Sequence, residues 1–241
     1  MTGYVDLHCH YVPGVDDGVR NVEESLGVLT GLAGLGWTTV VATPHIRTAM
    51  FENRAAPLRE HFAAFEAAVA GRPGLPTLGL SAEHYCDDVF WDLFLRGEVL
   101  PYPGGHAALV EFHYEAWPRH IERRFFDMQM RGVRPVIAHP ERYAGLAKST
   151  DPLRPMLDGG ALALLDLMSL VGRYGERARR VAERMLDEGY YDAACTDTHR
   201  PEDVGHVARA LLRLDALVGV DEARALLASN PAEILAGTYE P

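Results

Sequence analysis

Asp6-Leu7-His8-Cys9-His10 ends a short apolar run that reads as a strand, Gly3-Tyr4-Val5-Asp6-Leu7. Side chains two residues apart on a strand share a face. His8 and His10 can therefore bring two imidazoles to one point, as a divalent metal requires, while Cys9 faces the other way as a core residue. The same event, a metal-ligating side chain where an apolar run stops, recurs down the chain. Strand-like runs fall at 3–8, 37–43, 77–83, 107–112, 133–139, 161–167 and 191–197. Amphipathic helix-like stretches lie near 22–35, 57–70, 118–130, 152–158 and 173–188, and the tail 201–236 reads as two or three helices. Asn21 with Glu24 forms a capping box for the first helix, and Gly36 supplies its end. The stretch 87–106 is irregular, with Pro101, Pro103, Gly104 and Gly105 marking a loop.

Seven β–α alternations favour parallel strands, closed either as a doubly wound open sheet or as a barrel one unit short of the eight-stranded TIM barrel. The polar positions decide between them. His8 and His10, His45, Glu83, Glu111, His139, and Asp197 with His199 each fall at or just past the C-terminal end of a strand. A barrel gathers such ends on one face, where its site sits; an open sheet would scatter them along an edge. The expectation is the barrel.

Composition narrows the chemistry. The net charge of −11 over 241 residues argues against nucleic-acid phosphate as a partner. The three cysteines, Cys9, Cys86 and Cys195, are far apart and odd in number, so no disulfide framework is expected and a reducing cytoplasm fits. There is no basic-then-apolar leader pattern and no apolar stretch of about 18 residues. The protein is expected to be soluble, cytoplasmic and without membrane insertion.

The candidate metal ligands are His8, His10, Asp17, His45, Glu83, Glu111, His139, Asp197 and His199, five imidazoles and four carboxylates. Four carboxylates in one cleft repel. Two or three divalent cations resolve this, and the mixed donor set suits manganese, iron or zinc better than calcium or magnesium. A metal cluster of this kind points to hydrolysis of a phosphate ester. Glu83 and Glu111 end apolar runs, where an unpaired carboxylate is costly to bury. Asp17 also fits an ordinary Asp16-Asp17-Gly18 turn, and His45 a satisfied loop histidine. Arg142, three residues past His139, can grip a phosphate bidentately or pair with Glu141. Arg47 and Arg200, close behind candidate histidines, are further substrate-binding candidates.

Two rival designs fail on the residues. A Cys-x5-Arg phosphatase needs arginine six positions after its cysteine, where this chain has Val15, Asp92 and Pro201. A carbamate-bridged amidohydrolase site needs a strand-end lysine, but the only lysine, Lys148, lies in a loop nine residues past His139; a carbamate-free variant of that design stays open.

The stretch Asp6-Leu7-His8-Cys9-His10 with Val12-Pro13-Gly14-Val15-Asp16-Asp17-Gly18 resembles the start of the polymerase-and-histidinol-phosphatase (PHP) superfamily. Within it, the chain is similar to the bacterial tyrosine-protein phosphatases of capsule and exopolysaccharide operons. The likeness extends through Ala42-Thr43-Pro44-His45, Ala82-Glu83, Leu109-Val110-Glu111-Phe112, Ala138-His139-Pro140-Glu141-Arg142-Tyr143, Gly172-Arg173-Tyr174-Gly175, Thr196-Asp197-Thr198-His199 and Ser229-Asn230-Pro231.

The resemblance implies a distorted TIM-like (β/α)7 barrel, one PHP-type domain over residues 1–241, with a three-metal site usually active with manganese. His8, His10, Glu83 and Asp197 would bind one metal, and Glu83 would bridge to a second held by Glu111 and His139. Asp17, His45 and His199 would hold the third. Arg142, Asp197 and His199 carry the catalytic roles, and Arg142, Arg47 and Arg200 the substrate contacts. The implied substrate is the phosphotyrosine-bearing tail of a cognate polysaccharide-export tyrosine kinase. A small-molecule phosphatase acting on, for example, histidinol phosphate is the alternative within the enzymes, and a non-catalytic kinase-binding adaptor the alternative outside them. One departure stands out. After the sixth strand the family carries a polar stretch, whereas this chain has Leu164-Leu165-Asp166-Leu167-Met168-Ser169. Asp166 there either adds a metal contact or pairs with an arginine.

Overall fold

The computed structural model describes residues 3–118 and 121–241. Seven strand runs are present among them, all parallel and in chain order. They are β1 (Tyr4–Cys9), β2 (Trp37–Ala42, resuming as His45–Ile46), β3 (Thr77–Leu80, resuming as Glu83–Tyr85), β4 (Ala107–Glu111), β5 (Arg134–Ala138), β6 (Leu162–Asp166) and β7 (Ala193–Cys195). The break in β2 falls at Thr43-Pro44, where proline has no N–H to give the ladder. Thr39 pairs with Thr77 below the break and His45 with Glu83 above it, so the two halves follow one path. The ring closes between its first and last members: Cys9 bridges Thr198, Asp197 N donates to His8 O at 2.8 Å, and His10 N to Thr198 O at 2.9 Å. The expected TIM-like barrel with seven strands is the architecture found, distorted by the two interrupted strands.

Period-two alternation separates two cores. Val5, Leu7, Leu109, Val136, Leu162, Leu164 and Cys195 fill the barrel, with Tyr102 and Ile234 among them. Ala108, Val110, Ile137, Ala163, Leu165 and Ala194 face the surrounding helices. Cys9 breaks the pattern. By alternation with Leu7 it belongs inside, yet it packs in the outer core. The β1–β2 register slips between Asp6 and Cys9, and Asp6 Oδ1 accepts from His8 N at 3.1 Å across the slip. The irregularity turns His8 and His10 together toward the barrel mouth.

The helices are α1 (Val22–Leu35), α2 (Ala55–Val69), α3 (Asp88–Arg96), α4 (Ile121–Gln129), α5 (Arg154–Asp158), α6 (Gly175–Asp187), α7 (Val204–Val218), α8 (Val220–Arg224) and α9 (Asn230–Ala236). Of the stretch expected helical at 118–130, residues 119 and 120 lie outside the described residues. The stretch 87–106 is not all loop. Its first part is α3, capped by Asp87 Oδ1 on Phe90 N at 2.8 Å, ended by Gly97, and buried through Phe90, Leu93 and Phe94. At α1 the capping box is half made: Asn21 accepts from Glu24 N at 2.9 Å, but Glu24 turns its carboxylate to Arg20. No helix among the described residues is long and apolar enough to cross a membrane.

Asp6 anchors the closure from below. Its carboxylate, fully buried, accepts from Thr196 Oγ1 at 2.6 Å, Thr196 N at 3.1 Å and His8 N. Burial pushes this carboxyl up to about 7, against the pull of the Thr196 bonds. Asp6→Ala strands three buried donors and should lower the unfolding free energy by about 3 kcal/mol in urea denaturation. A loss no larger than the roughly 0.5 kcal/mol of neutral surface changes would remove Asp6 from this role.

Candidate metal centre

The barrel mouth carries the candidate ligands on loop stems and strand ends. Glu111, the inward-facing last residue of β4, follows Ala107 and Leu109 in the alternation. Asp197 follows Ala193 and Cys195 in the same way. Two of the candidate ligand positions sit in left-handed backbone, His139 at φ 34° and Asp197 at φ 46°. Such conformations cost energy in non-glycine residues and cluster where function demands a particular side-chain direction. At His139 the turn matters: Ala138 already faces inward, so plain alternation would send the next side chain outward.

The nine side chains converge in overlapping groups. His8 Nε2 lies 3.1 Å from His10 Nε2, 3.2 Å from Asp197 Oδ1 and 3.3 Å from Glu83 Oε2. Glu83 is the hub. Its Oε1 is 2.9 Å from His139 Nε2, and its Oε2 is 2.9 Å from His45 Nδ1. His45 Nε2 and His199 Nε2 approach Asp17 Oδ1 at 3.4 and 3.5 Å, and the His10 and His199 rings stack with centroids 4.0 Å apart. Four groupings with ligand atoms close enough for one ion emerge: His10–Asp17–His45–His199, His8–His10–Asp197, His8–Glu83–His139 and His45–Glu83–Glu111.

The donor set fits divalent cations. Asp197 Oδ1, Glu83 Oε2, Glu111 Oε2 and His45 Nδ1 are buried, and none of their close contacts has hydrogen-bond geometry. Buried carboxylate oxygens left so are costly. Donors about 2.1 Å from one ion sit roughly 3.0–3.5 Å apart, the spacing observed around His8. Protein groups alone leave the cleft in conflict. Burial and then the Glu83 charge push Glu111 up to about 7. Burial and the Arg142 cation bring His139 down to about 4. Cations would offset the crowding at Glu111, and a neutral His139 is the form that ligates a metal.

The arginines divide. Arg142 Nη2 binds both Asp166 Oδ2 and Asp197 Oδ2, and its guanidinium lies 3.6 Å from the Tyr174 ring centroid. Asp166 is thus an arginine partner and not a member of the ligand groups. Arg47 lines the cleft, 3.7 Å from Glu111 and stacked on Tyr85. Arg200 does not line it: its Nη1 is taken by the Gly18 and His199 carbonyls. Both acceptors are backbone carbonyls, and they place Arg200, expected among the substrate contacts, outside the residues that line the cleft.

Several residues escaped the sequence reading. Asp16 accepts from His10 Nδ1 at 2.7 Å, from Gly18 N and from His45 N, fixing one candidate ligand ring and the backbone of another. Its only local signal was the turn motif. Phe51 stacks on His45 at 5.2 Å from a tight Arg47–Phe51 hairpin, and Tyr114 and Tyr174 complete the walls of a cavity of about 300 Å³. Because partners that orient ligating histidines set metal affinity, Asp16→Ala should weaken Mn²⁺ binding about 10–100-fold in calorimetric titration of the metal-free protein. An unchanged Kd with unchanged circular dichroism would show that Asp16 supports only the turn.

Comparison with known proteins agrees with this architecture. The tyrosine-protein phosphatase YwqE of Bacillus subtilis is 28% identical over 234 residues, covering 96% of this chain and 91% of YwqE. The tyrosine-protein phosphatase CpsB of Streptococcus pneumoniae is 26% identical over 237 residues, covering 96% and 98%. A crystal structure from work on those two enzymes, described as metal-dependent tyrosine phosphatases, superposes with a TM-score of 0.88 at 24% identity, covering 98% of this chain and 95% of that one. It shares the fold. The family described as capsular polysaccharide synthesis, CpsB/CapC, matches residues 4–236, and the chain belongs to that family.

Proposed function

We propose that this protein is a metal-dependent, cysteine-independent protein-tyrosine phosphatase, a phosphoric monoester hydrolase formed by residues 1–241 as one domain. The observation that carries the reading is the convergence of nine imidazole and carboxylate side chains, several with buried atoms that lack hydrogen-bond geometry, beside the partly buried Arg142. The names of the relatives support the choice of phosphotyrosine. The proposed substrate is the tyrosine-phosphorylated tail of a polysaccharide-export kinase in the cytoplasm, which would make the enzyme a regulator of capsule or exopolysaccharide production.

Three divalent ions, manganese with iron or zinc as substitutes, would be held as follows: His8, His10, Glu83 and Asp197 on one, Glu83, Glu111 and His139 on the second, Asp17, His45 and His199 on the third. Such ions supply charge neutralisation to phosphoryl oxygens and lower the pKa of a coordinated water. The chain's own groups do the rest. Arg142 would bind a phosphoryl oxygen and stabilise the charge spread over the equatorial oxygens in the transition state. Asp197 joins that arginine to the ligand cluster, one oxygen on Arg142 and the other toward His8 and His10. His199 Nδ1–H donates to Asp197 O at 2.8 Å, which leaves Nε2 facing the cleft at Asp17. Arg47 offers a second cation to the phosphate. Phe51, Tyr114 and Tyr174 give the cleft aromatic walls that match a phenyl ring and exclude water.

Two measurements test the reading. The Mn²⁺-loaded enzyme should hydrolyse a phosphotyrosine peptide with higher kcat/KM than histidinol phosphate. The reverse order hands the site to a small-molecule phosphatase, and no hydrolysis of any ester with any divalent metal hands it to an adaptor. Arg142→Lys keeps the charge but loses the planar fork, and should lower kcat/KM about 100-fold or more; a loss under threefold would take Arg142 out of the mechanism.

A further inference from the structure

Asp166 stands at the departure from the family pattern noted in the sequence, and its surroundings give it a use. It is the last residue of β6, inward by alternation with Leu162 and Leu164, and wholly buried. One carboxylate oxygen is committed to the backbone, accepting from Met168 N at 2.8 Å. The other meets Arg142 Nη2, the same nitrogen that reaches Asp197. The Tyr174 ring lies against the guanidinium, its centroid 3.6 Å from the central carbon. Arg142 is thus clamped by two carboxylates and a ring, in a wall shared by the ligand-lined cleft and a neighbouring cavity of about 410 Å³.

We infer that Asp166 is a positioning residue that holds Arg142 for an incoming phosphate and, by occupying its Nη2, holds down the affinity for phosphate. The inference rests on the proposed phosphatase reading for its meaning, but not for its test. A dianion entering the cleft competes with Asp166 for the same donor. While Asp166 holds the guanidinium in place, binding is weaker but the arginine is already oriented. Without it, the cation is freer to bind the ground-state phosphate and less well aligned for the transition state, which raises affinity and lowers turnover.

The probe is inorganic phosphate, titrated calorimetrically into the manganese-loaded protein. Asp166→Asn keeps an oxygen for Met168 N and removes the negative charge from Arg142. Its phosphate Kd should fall roughly tenfold, the weight of one charge-assisted hydrogen bond. Asp166→Ser, whose hydroxyl can cap the same turn but is too short to reach Arg142, should move Kd in the same direction and guards against an amide-specific artefact or a poorly folded Asn variant. With phosphotyrosine peptide, both variants should show lower KM together with lower kcat, a split that general loss of structure does not produce. Phosphate affinity unchanged or weakened in both variants overturns the inference. Absence of phosphotyrosine hydrolysis by the wild type overturns the phosphatase reading alone, because phosphate binding is measured without turnover.

Discussion

The hydrogen bond from Asp197 N to His8 O is the constraint on which the mouth of the barrel depends. It joins the last strand to the first. Two segments almost two hundred residues apart in sequence are thereby held side by side, and His8, His10 and Asp197 become neighbours. Just below it, Asp6 ties Thr196 to the same strand and supports the register slip that aims both histidines inward. Without ring closure the candidate ligands would lie at opposite edges of an open sheet, and no ion could touch both sets.

Closure gathers like charges, and the rest of the site answers that problem. Glu83, Glu111 and Asp197 are nearly inaccessible to water, so their repulsion is only weakly screened. Histidines are interleaved among them, and Arg142 and Arg47 stand at the periphery. Glu83 stays ionised, its carboxyl drawn well below the usual range by His8 and His45 despite its burial. Glu111, with Glu83 as its neighbour, is pushed the other way. Burial raises both carboxyls; the histidines around Glu83 outweigh it there, whereas at Glu111 the Glu83 charge adds to it.

Much of this was legible in the sequence because it is local. Apolar runs ending in His, Glu or Asp mark strand ends through period-two alternation, as Leu109 and Glu111 illustrate, and a parallel barrel sends all such ends to one face. What stayed hidden depends on contacts across the chain. Asp16 looked like a turn residue until His10 and His45 came within reach of it. Arg200 follows a candidate histidine in sequence, but only the folded chain brings its guanidinium to the Gly18 carbonyl. Asp166 had two readings, and only the position of Arg142 chose between them. The helix Asp88–Arg96 was obscured by the proline- and glycine-rich loop that follows it, although its Asp87 cap and Phe90, Leu93, Phe94 spacing were present. The slip at Asp6–Cys9 has no local signature, since nothing in the pentapeptide separates a regular strand from a bulged one.

The left-handed backbone at Asp197 bears on how this molecule can drift over evolutionary time. Among non-glycine residues, asparagine and aspartate tolerate that conformation best. An Asp-to-Asn exchange at this position therefore meets no backbone obstacle and preserves side-chain shape, while removing the charge that faces His8, His10 and Arg142. One nucleotide change suffices for that exchange, so the position can lose its charge without any change in backbone geometry, and what opposes the loss is the buried pairing of Asp197 with Arg142 and the histidines.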